Sequence, residues 1–181
     1  KRSPKQTAIG EWASAQQVAL FKTTNVNMPA FLEQMNALNP DAVVVIAFGQ
    51  KLSEEFIGNR PTINLHASLL PRWRGAAPIN AAILHGDVVA GVSVITLAQK
   101  MDAGIVLGKV ATTISPTETA GELHDRLSLL GPDIVMEVLD GDFSGEEQNE
   151  TLVTYAPKMS RKDAILDLSK SAVQAANAIR G

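Results

Sequence analysis

Asn64, His66 and Asp102 are the residues whose types and placement could carry out group transfer. Asn64 and His66 lie two apart in the apolar stretch Ile63-Asn64-Leu65-His66-Ala67, and residues two apart on a strand share a face. The amide and the imidazole should therefore point into one space at the carboxyl end of that strand, where open α/β sheets place their ligands. An imidazole can move a proton near neutral pH and an amide can donate to a developing oxyanion, so the pair suits acyl-transfer chemistry. Asp102, in the polar loop Ala98-Gln99-Lys100-Met101-Asp102-Ala103-Gly104, joins them if adjacent strand ends bring it to His66. The plainer alternatives are a core histidine satisfied by backbone and an aspartate that merely forms a turn.

Other groups are weaker candidates. Arg72-Trp73-Arg74 is either a solvated turn or a cation-aromatic edge for phosphate or a stacked base. Lys1, Arg2 and Lys5 make the opening segment basic, as solvated chain ends often are. His85 and His124 fall in helical patterns and look structural. Neither GxGxxG nor GxxxxGK[ST] occurs, and there is no His-x-x-x-His pair, so no metal is expected.

The elements that must position these residues follow from pattern. Ser3-Pro4 signals a helix start, the helix running to Gln16 with Ile9, Trp12 and Ala13 inward. Val18 to Phe21 suggests a short strand, and Asn27 caps a helix over Pro29 to Leu38. Ala42 to Phe48 is an unbroken apolar run, as a strand buried on both faces requires. A short helix near Leu52 to Ile57, the strand Thr62 to His66 and a helix from Ala77 to His85 come next. Gly91 to Leu97 and Ile105 to Ile114 are separated by so few residues that they must be antiparallel neighbours. A long amphipathic helix, adjusted near Gly131-Pro132, reaches Leu139; Gly141 to Glu150 is polar and flexible. Tyr155-Ala156-Pro157 breaks any strand begun at Thr151, and Ser169 to Ile179 forms a helix with too narrow an apolar face to stand alone. The recurring βα pattern implies an α/β fold: a parallel sheet with an appended antiparallel pair.

The totals agree with one ordinary domain. The 181 residues are 45% hydrophobic, 19% charged and only 4% aromatic, so the core is built from Val, Ile, Leu and Ala. A formal charge of -3 argues against non-specific coating of nucleic acid. The chain has no cysteine, hence no thiolate nucleophile and no disulfide. No apolar run approaches the roughly 18 residues of a membrane span. No membrane association and a cytoplasmic location, in a bacterial-type cytosol or an organelle matrix, are expected.

Asn64-Leu65-His66-x-Ser68-Leu69-Leu70-Pro71, followed downstream by Met101-Asp102-Ala103-Gly104, resembles the folate-dependent formyltransferase family. The likeness is strong from Ala42 to Leu139 and looser in the flanks. Within the family, Ser68-Leu69-Leu70-Pro71-Arg72-Trp73-Arg74-Gly75-Ala76-Ala77-Pro78-Ile79 is most similar to the branch acting on methionyl-tRNA, and Thr151 to Lys158 resembles its exit from the catalytic domain. Phe48 stands where that pattern usually has tyrosine, and Ser53 stands near an expected proline.

The resemblance implies a Rossmann-like formyltransferase domain over residues 1–158, incomplete at its N-terminus. The family's first strand-helix-strand unit would precede Lys1, leaving a gap in the sheet. Residues 159–181 would be a linker towards an absent C-terminal β-barrel domain. The implied reaction moves a formyl group from 10-formyltetrahydrofolate to the amine of initiator methionyl-tRNA, by a monomer and without a metal. Asn64 would donate to the tetrahedral oxyanion, His66 would serve proton transfer, and Asp102 would orient His66 and relay the proton. The folate would lie along Ala47, Phe48, Gly49, Gln50, Lys51 and Leu52, along Ser68, Leu69, Leu70 and Pro71, and along Gln99, Lys100 and Met101. Lys1, Arg2, Lys5, Arg72 and Arg74 would meet the tRNA. Rival readings are formyl transfer to a small amine, such as glycinamide ribonucleotide or an amino sugar nucleotide, and a folate-binding module without turnover.

Overall fold

A computed structural model describes residues 7–181, which fall into two compact units: residues up to Asn39 with Gln50–Gly58, and Pro40–Gly49 with Asn59–Gly181. The expected cap at Ser3-Pro4 lies outside the described residues.

In the first unit, helix α1 (Ala8–Ala15) is capped by Thr7, whose hydroxyl accepts from the Gly10 amide. Its orientation departs from the expected stripe: Gly10 and Ala13 face inward, while Ile9 is 67% exposed and Trp12 55%. Residues three apart share a helix face, so the face that buries Gly10 and Ala13 leaves Ile9 and Trp12 on a neighbouring one. Residues 18–21 form no strand: among the described residues no neighbour offers them a ladder, and Val18, Leu20 and Phe21 are exposed. Helix α2 (Pro29–Leu38) has the predicted bounds and proline at its first turn, but Met28 rather than Asn27 precedes it as the cap residue. The Asn27 side chain is used elsewhere, donating to the Lys51 carbonyl at 2.8 Å and accepting from the Ser53 amide at 2.8 Å. Ser53 in turn caps helix α3 (Glu54–Ile57), and Phe56 stacks on Phe31.

The second unit holds the sheet. Strand β1 (Val43–Ile46) runs parallel to β2 (Thr62–His66). Strand β2 is antiparallel to β4 (Val89–Thr96), and β4 to β5 (Val106–Thr113), giving the order β1-β2-β4-β5. That is the expected parallel start with an antiparallel pair appended. The β1 run departs from expectation in one respect: it is an edge strand with alternating burial, and Ile46 is 60% exposed. Its apolar composition signals a two-sided strand, but in this unit only one face of it is covered.

Two-residue strands β3 (Arg74–Gly75) and β6 (Tyr155–Ala156) pair in parallel beside helix α4 (Pro78–Leu84). Helix α5 (Ala120–Asp140) begins with a reciprocal Thr119–Glu122 capping box and continues unbroken through Pro132. Its Leu123, Leu127, Ile134, Val135 and Val138 close the main core with Ile63, Ile83, Val92 and Val94. Gly131 lets the helix lie against β2, since a Cβ there would sit 2.6 Å from the Leu65 side chain. Helix α6 (Ala172–Arg180) docks on α4, as its narrow apolar face required. Asn177 is buried there, and Arg180 donates to the Glu118 carbonyl at 2.9 Å. No helix among the described residues is long and apolar enough to cross a membrane.

Candidate active site

Strand β2 ends at His66, whose ring is buried beneath the loop that follows. The loop is fixed by short-range bonds. Ser93, opposite His66 on β4, donates to the Ser68 carbonyl at 2.7 Å and accepts from the Leu70 amide at 3.1 Å. The Ser68 hydroxyl donates to the Arg72 carbonyl at 2.6 Å, and Leu70-Pro71 is a cis peptide. Trp73 then adopts φ +64, held by its indole N–H donating to Asp87 at 2.7 Å and its amide donating to the Thr154 hydroxyl at 2.9 Å. The outcome is a carbonyl aimed at the imidazole: Trp73 O lies 2.9 Å from His66 Nε2. A carbonyl only accepts, so Nε2 carries the hydrogen and Nδ1 is the ring atom left to take or give a proton.

Asp102 meets that atom. Its Oδ2 lies 3.7 Å from His66 Nδ1, close enough for charge attraction and too long for a direct hydrogen bond. The same oxygen accepts from the Gly75 amide at 2.8 Å. One loop thus serves both groups, through the Trp73 carbonyl for the ring and the Gly75 N–H for the carboxylate. Gly75 needs to be glycine, with φ +123 and a notional Cβ only 2.4 Å from the Ala156 carbonyl oxygen. Asn64, two residues before His66, is half-buried, and its side chain forms no hydrogen bond among the described residues. Its amide is therefore available as a donor.

The Asp102 turn has a second support. Gln148 Nε2 donates at 2.8 Å to both the Asp102 and the Gly104 carbonyls, and its Oε1 accepts from Arg74 Nε at 3.0 Å. Arg74 also donates to Glu150 at 2.7 Å, and Lys100 reaches the other oxygen of that carboxylate at 2.8 Å. The hydrogen bonds from Arg74 and then Lys100 pull the Glu150 carboxyl down to about 2, while Glu150 in turn pushes Lys100 above its ordinary range. This corrects two sequence expectations. Residues 146–150 are tied down rather than flexible, and Arg74, 1% exposed, has no surface to offer an RNA phosphate. Gln148 and Glu150 went unnoticed in the sequence because a polar stretch between helix and strand reads as loop.

Arg72 behaves differently. Its side chain is 44% exposed, and its guanidinium lies over the Trp73 ring at 4.3 Å and grips Asp87 through two bonds of 2.8 and 2.5 Å. Burial pushes the Asp87 carboxyl up, but hydrogen bonds from Arg72 and Trp73, with the charges of Arg72 and His85, outweigh it and hold it below its ordinary value. Among the remaining candidates, Ser68 and Leu70 are buried and Gln99, Lys100 and Met101 are exposed. Ala47, Phe48 and Gly49 follow β1 in the second unit. Gln50, Lys51 and Leu52 belong to the first, where the Gln50 side chain binds the Val26 amide and the Thr24 carbonyl. Lys1, Arg2 and Lys5 lie outside the described residues. No group of three or more His, Asp or Glu that could hold a metal ion occurs among the described residues.

Comparison with known proteins bears on the family and the fold. The sequence profile of the family described as Formyl transferase matches residues 2–139. Methionyl-tRNA formyltransferase of Coxiella burnetii is 39% identical over 181 residues, covering 97% of this chain and 58% of its own length. The enzyme of the same name from Pseudomonas entomophila is 39% identical over 180 residues, covering 96% and 58%. The chain therefore spans less than two thirds of these curated relatives. Among solved structures, methionyl-tRNA formyltransferase from Clostridium thermocellum superposes with a TM-score of 0.70 at 15% identity, covering 94% of this chain and 74% of that one. HypX from Aquifex aeolicus, in complex with tetrahydrofolic acid, gives 0.71 at 20% identity, covering 84% and 28%. Both structural likenesses speak for the fold, and the profile for the family: the chain belongs to the formyl transferases.

Proposed function

We propose that this chain carries the catalytic part of an enzyme that moves a formyl group from 10-formyltetrahydrofolate to the amino group of initiator methionyl-tRNA. The observation that carries the reading is the approach of Asp102 to the free ring nitrogen of His66, at 3.7 Å, beside an unengaged Asn64 amide. The relatives at 39% identity, both named methionyl-tRNA formyltransferase, supply the acceptor.

Each residue has a task in that reaction. As the substrate amine attacks the formyl carbon, the carbonyl oxygen becomes an oxyanion, and the Asn64 side chain donates to it, a contribution of about 3 kcal/mol for donors of this kind. The amine gives up one proton on becoming an amide, and the folate nitrogen gains one as it leaves. His66 Nδ1 exchanges that proton with the reacting groups, with Asp102 holding the positive ring and passing the proton through water. The Trp73 carbonyl, rather than Asp102, fixes the ring's tautomer. The folate lies along Ser68 to Pro71, Gln99 to Met101 and the end of β1 at Ala47 to Gly49, held mostly by backbone groups. Arg72 is the described cation offered to the tRNA.

The test is direct: the protein is supplied with 10-formyltetrahydrofolate and, in parallel, methionyl-tRNA, glycinamide ribonucleotide and an amino sugar nucleotide. Formyl-methionyl-tRNA should form fastest. Transfer to a small amine with none to methionyl-tRNA would replace this acceptor. Folate binding with no transfer to any amine would replace the enzyme reading with a binding module.

A further inference from the structure

We propose that Gln148 is a positioning residue for this site: its amide sets the turn that aims the Asp102 carboxylate at His66, and the buried Arg74 sets that amide. The inference rests on the formyl-transfer reading above. Asp102 sits at φ +52, a left-handed conformation that non-glycine residues seldom occupy, so the surroundings must hold it there. Gln148 does so by spanning the turn, one NH2 group donating to the carbonyls of Asp102 and Gly104 on either side of Ala103.

Arg74 removes the freedom of that amide. With Nε donating to Gln148 Oε1, a flipped amide would put its oxygen against two carbonyls and its NH2 against a guanidinium. Arg74 is itself fixed by β3, by its amide donating to the Thr154 carbonyl at 2.9 Å and by Glu150. The next residue, Gly75, holds the Asp102 carboxylate directly. Arg74 and Gly75 thus reach Asp102 by two routes, one through the backbone carbonyl and one through the side chain. The segment carrying Gln148 is anchored just upstream, where Glu146 and Val106 exchange two backbone bonds of 2.9 Å. Lys100, in the Asp102 loop, is tied to Glu150 of the same segment. A stretch that looks like solvated linker is a clamp across the catalytic loop.

Two substitutions in the protein separate this from a merely structural role. Gln148→Met keeps volume and loses every hydrogen bond; Gln148→Glu keeps the acceptor for Arg74 and loses the NH2. Both should lower kcat by about 10- to 100-fold, as loss of a supporting shell does, with KM for both substrates within about two-fold. Adding Asp102→Ala to Gln148→Met should cost little beyond Asp102→Ala alone, because the two act through one group. Hydrogen exchange at the Gly75 amide, measured without substrates, should quicken by at least about ten-fold in both variants as the carboxylate leaves it. Wild-type kcat in Gln148→Glu would overturn the proposal, leaving Gln148 as a partner for Arg74 alone, and so would additive losses or an unchanged Gly75 amide. If the unsubstituted protein transfers no formyl group, the reading of the site fails, while Gly75 exchange still decides whether the clamp exists.

Discussion

Replacing Asp102 with asparagine isolates the charge of this site from its shape. The carboxylate lies 3.7 Å from His66 Nδ1, where two unit charges attract by about 4.5 kcal/mol at an effective dielectric constant of about 20. At about 1.4 kcal/mol per tenfold in rate, losing that attraction for a positive ring in the transition state slows transfer by ~10³-fold. Asparagine keeps an oxygen for the Gly75 amide, so folding loses only the difference between a charged and a neutral acceptor, about 1 kcal/mol. Single-turnover transfer at saturating substrates, which reports chemistry rather than product release, should therefore fall by ~10²- to 10³-fold in Asp102→Asn. KM should stay within about two-fold and thermal stability should change only slightly. A single-turnover rate within about three-fold of wild type, with the Gly75 amide still protected, would refute the argument, since the charge would then have no part in the reaction.

Asn64→Ala should lower kcat by ~10²- to 10³-fold while leaving folding intact, because the amide has no hydrogen-bond partner among the described residues to abandon; full activity would remove Asn64 from the mechanism. Arg72→Glu should weaken tRNA binding and flatten the dependence of log affinity on log salt by about one phosphate contact. Charge reversal at Lys1, Arg2 and Lys5 should act in the same direction, and an unchanged salt slope would argue against these contacts. Acid should loosen the Arg74–Glu150–Lys100 group. Glu150 titrates at about 2 in the fold against an ordinary 4.5, so its stabilisation is complete above 4.5 and lost as pH falls towards 2. Glu150→Gln should flatten that limb of the Tm–pH curve, and an unchanged limb would show that the ion pairs contribute nothing.

What the sequence showed and what it hid divide along a physical line. Strand β2, the span of helix α2, the antiparallel pair and the amphipathic run of α5 were legible because local pattern determines them. Asn64 and His66 were legible for the same reason, since alternation places both on one strand. The acceptor that fixes the His66 tautomer was not, because the Trp73 carbonyl is backbone and every residue has one. Arg74 was misread as surface because a cation beside tryptophan looks exposed, and the carboxylate that draws it inward lies 76 residues further on. Gln148 carries no local signal whatever: a polar residue in a polar stretch acquires its role only through distant carbonyls. The outward turn of Ile9 and Trp12 and the open face of β1 failed differently, since apolar content measures what could be buried and not what is covered.

The loop from Ser68 to Gly75 links fold to function more tightly than the three side chains do. It satisfies its backbone through Ser93 and Thr154 and its Trp73 indole through Asp87, and in doing so leaves one carbonyl and one amide for the site, the first for His66 and the second for Asp102. Neither backbone group can be mutated away, but both can be displaced by changing what holds the loop. Under the proposed reaction, residues such as Ser93, 0% exposed and opposite His66 on β4, therefore bear on the rate as well as on stability. The separation of imidazole and carboxylate is set by loop geometry, and a shift of about 1 Å there can cost on the order of 10²-fold in rate. Under the proposed reaction, the buried polar bonds that fix this loop set the 3.7 Å between His66 Nδ1 and Asp102 Oδ2 on which the proton exchange depends.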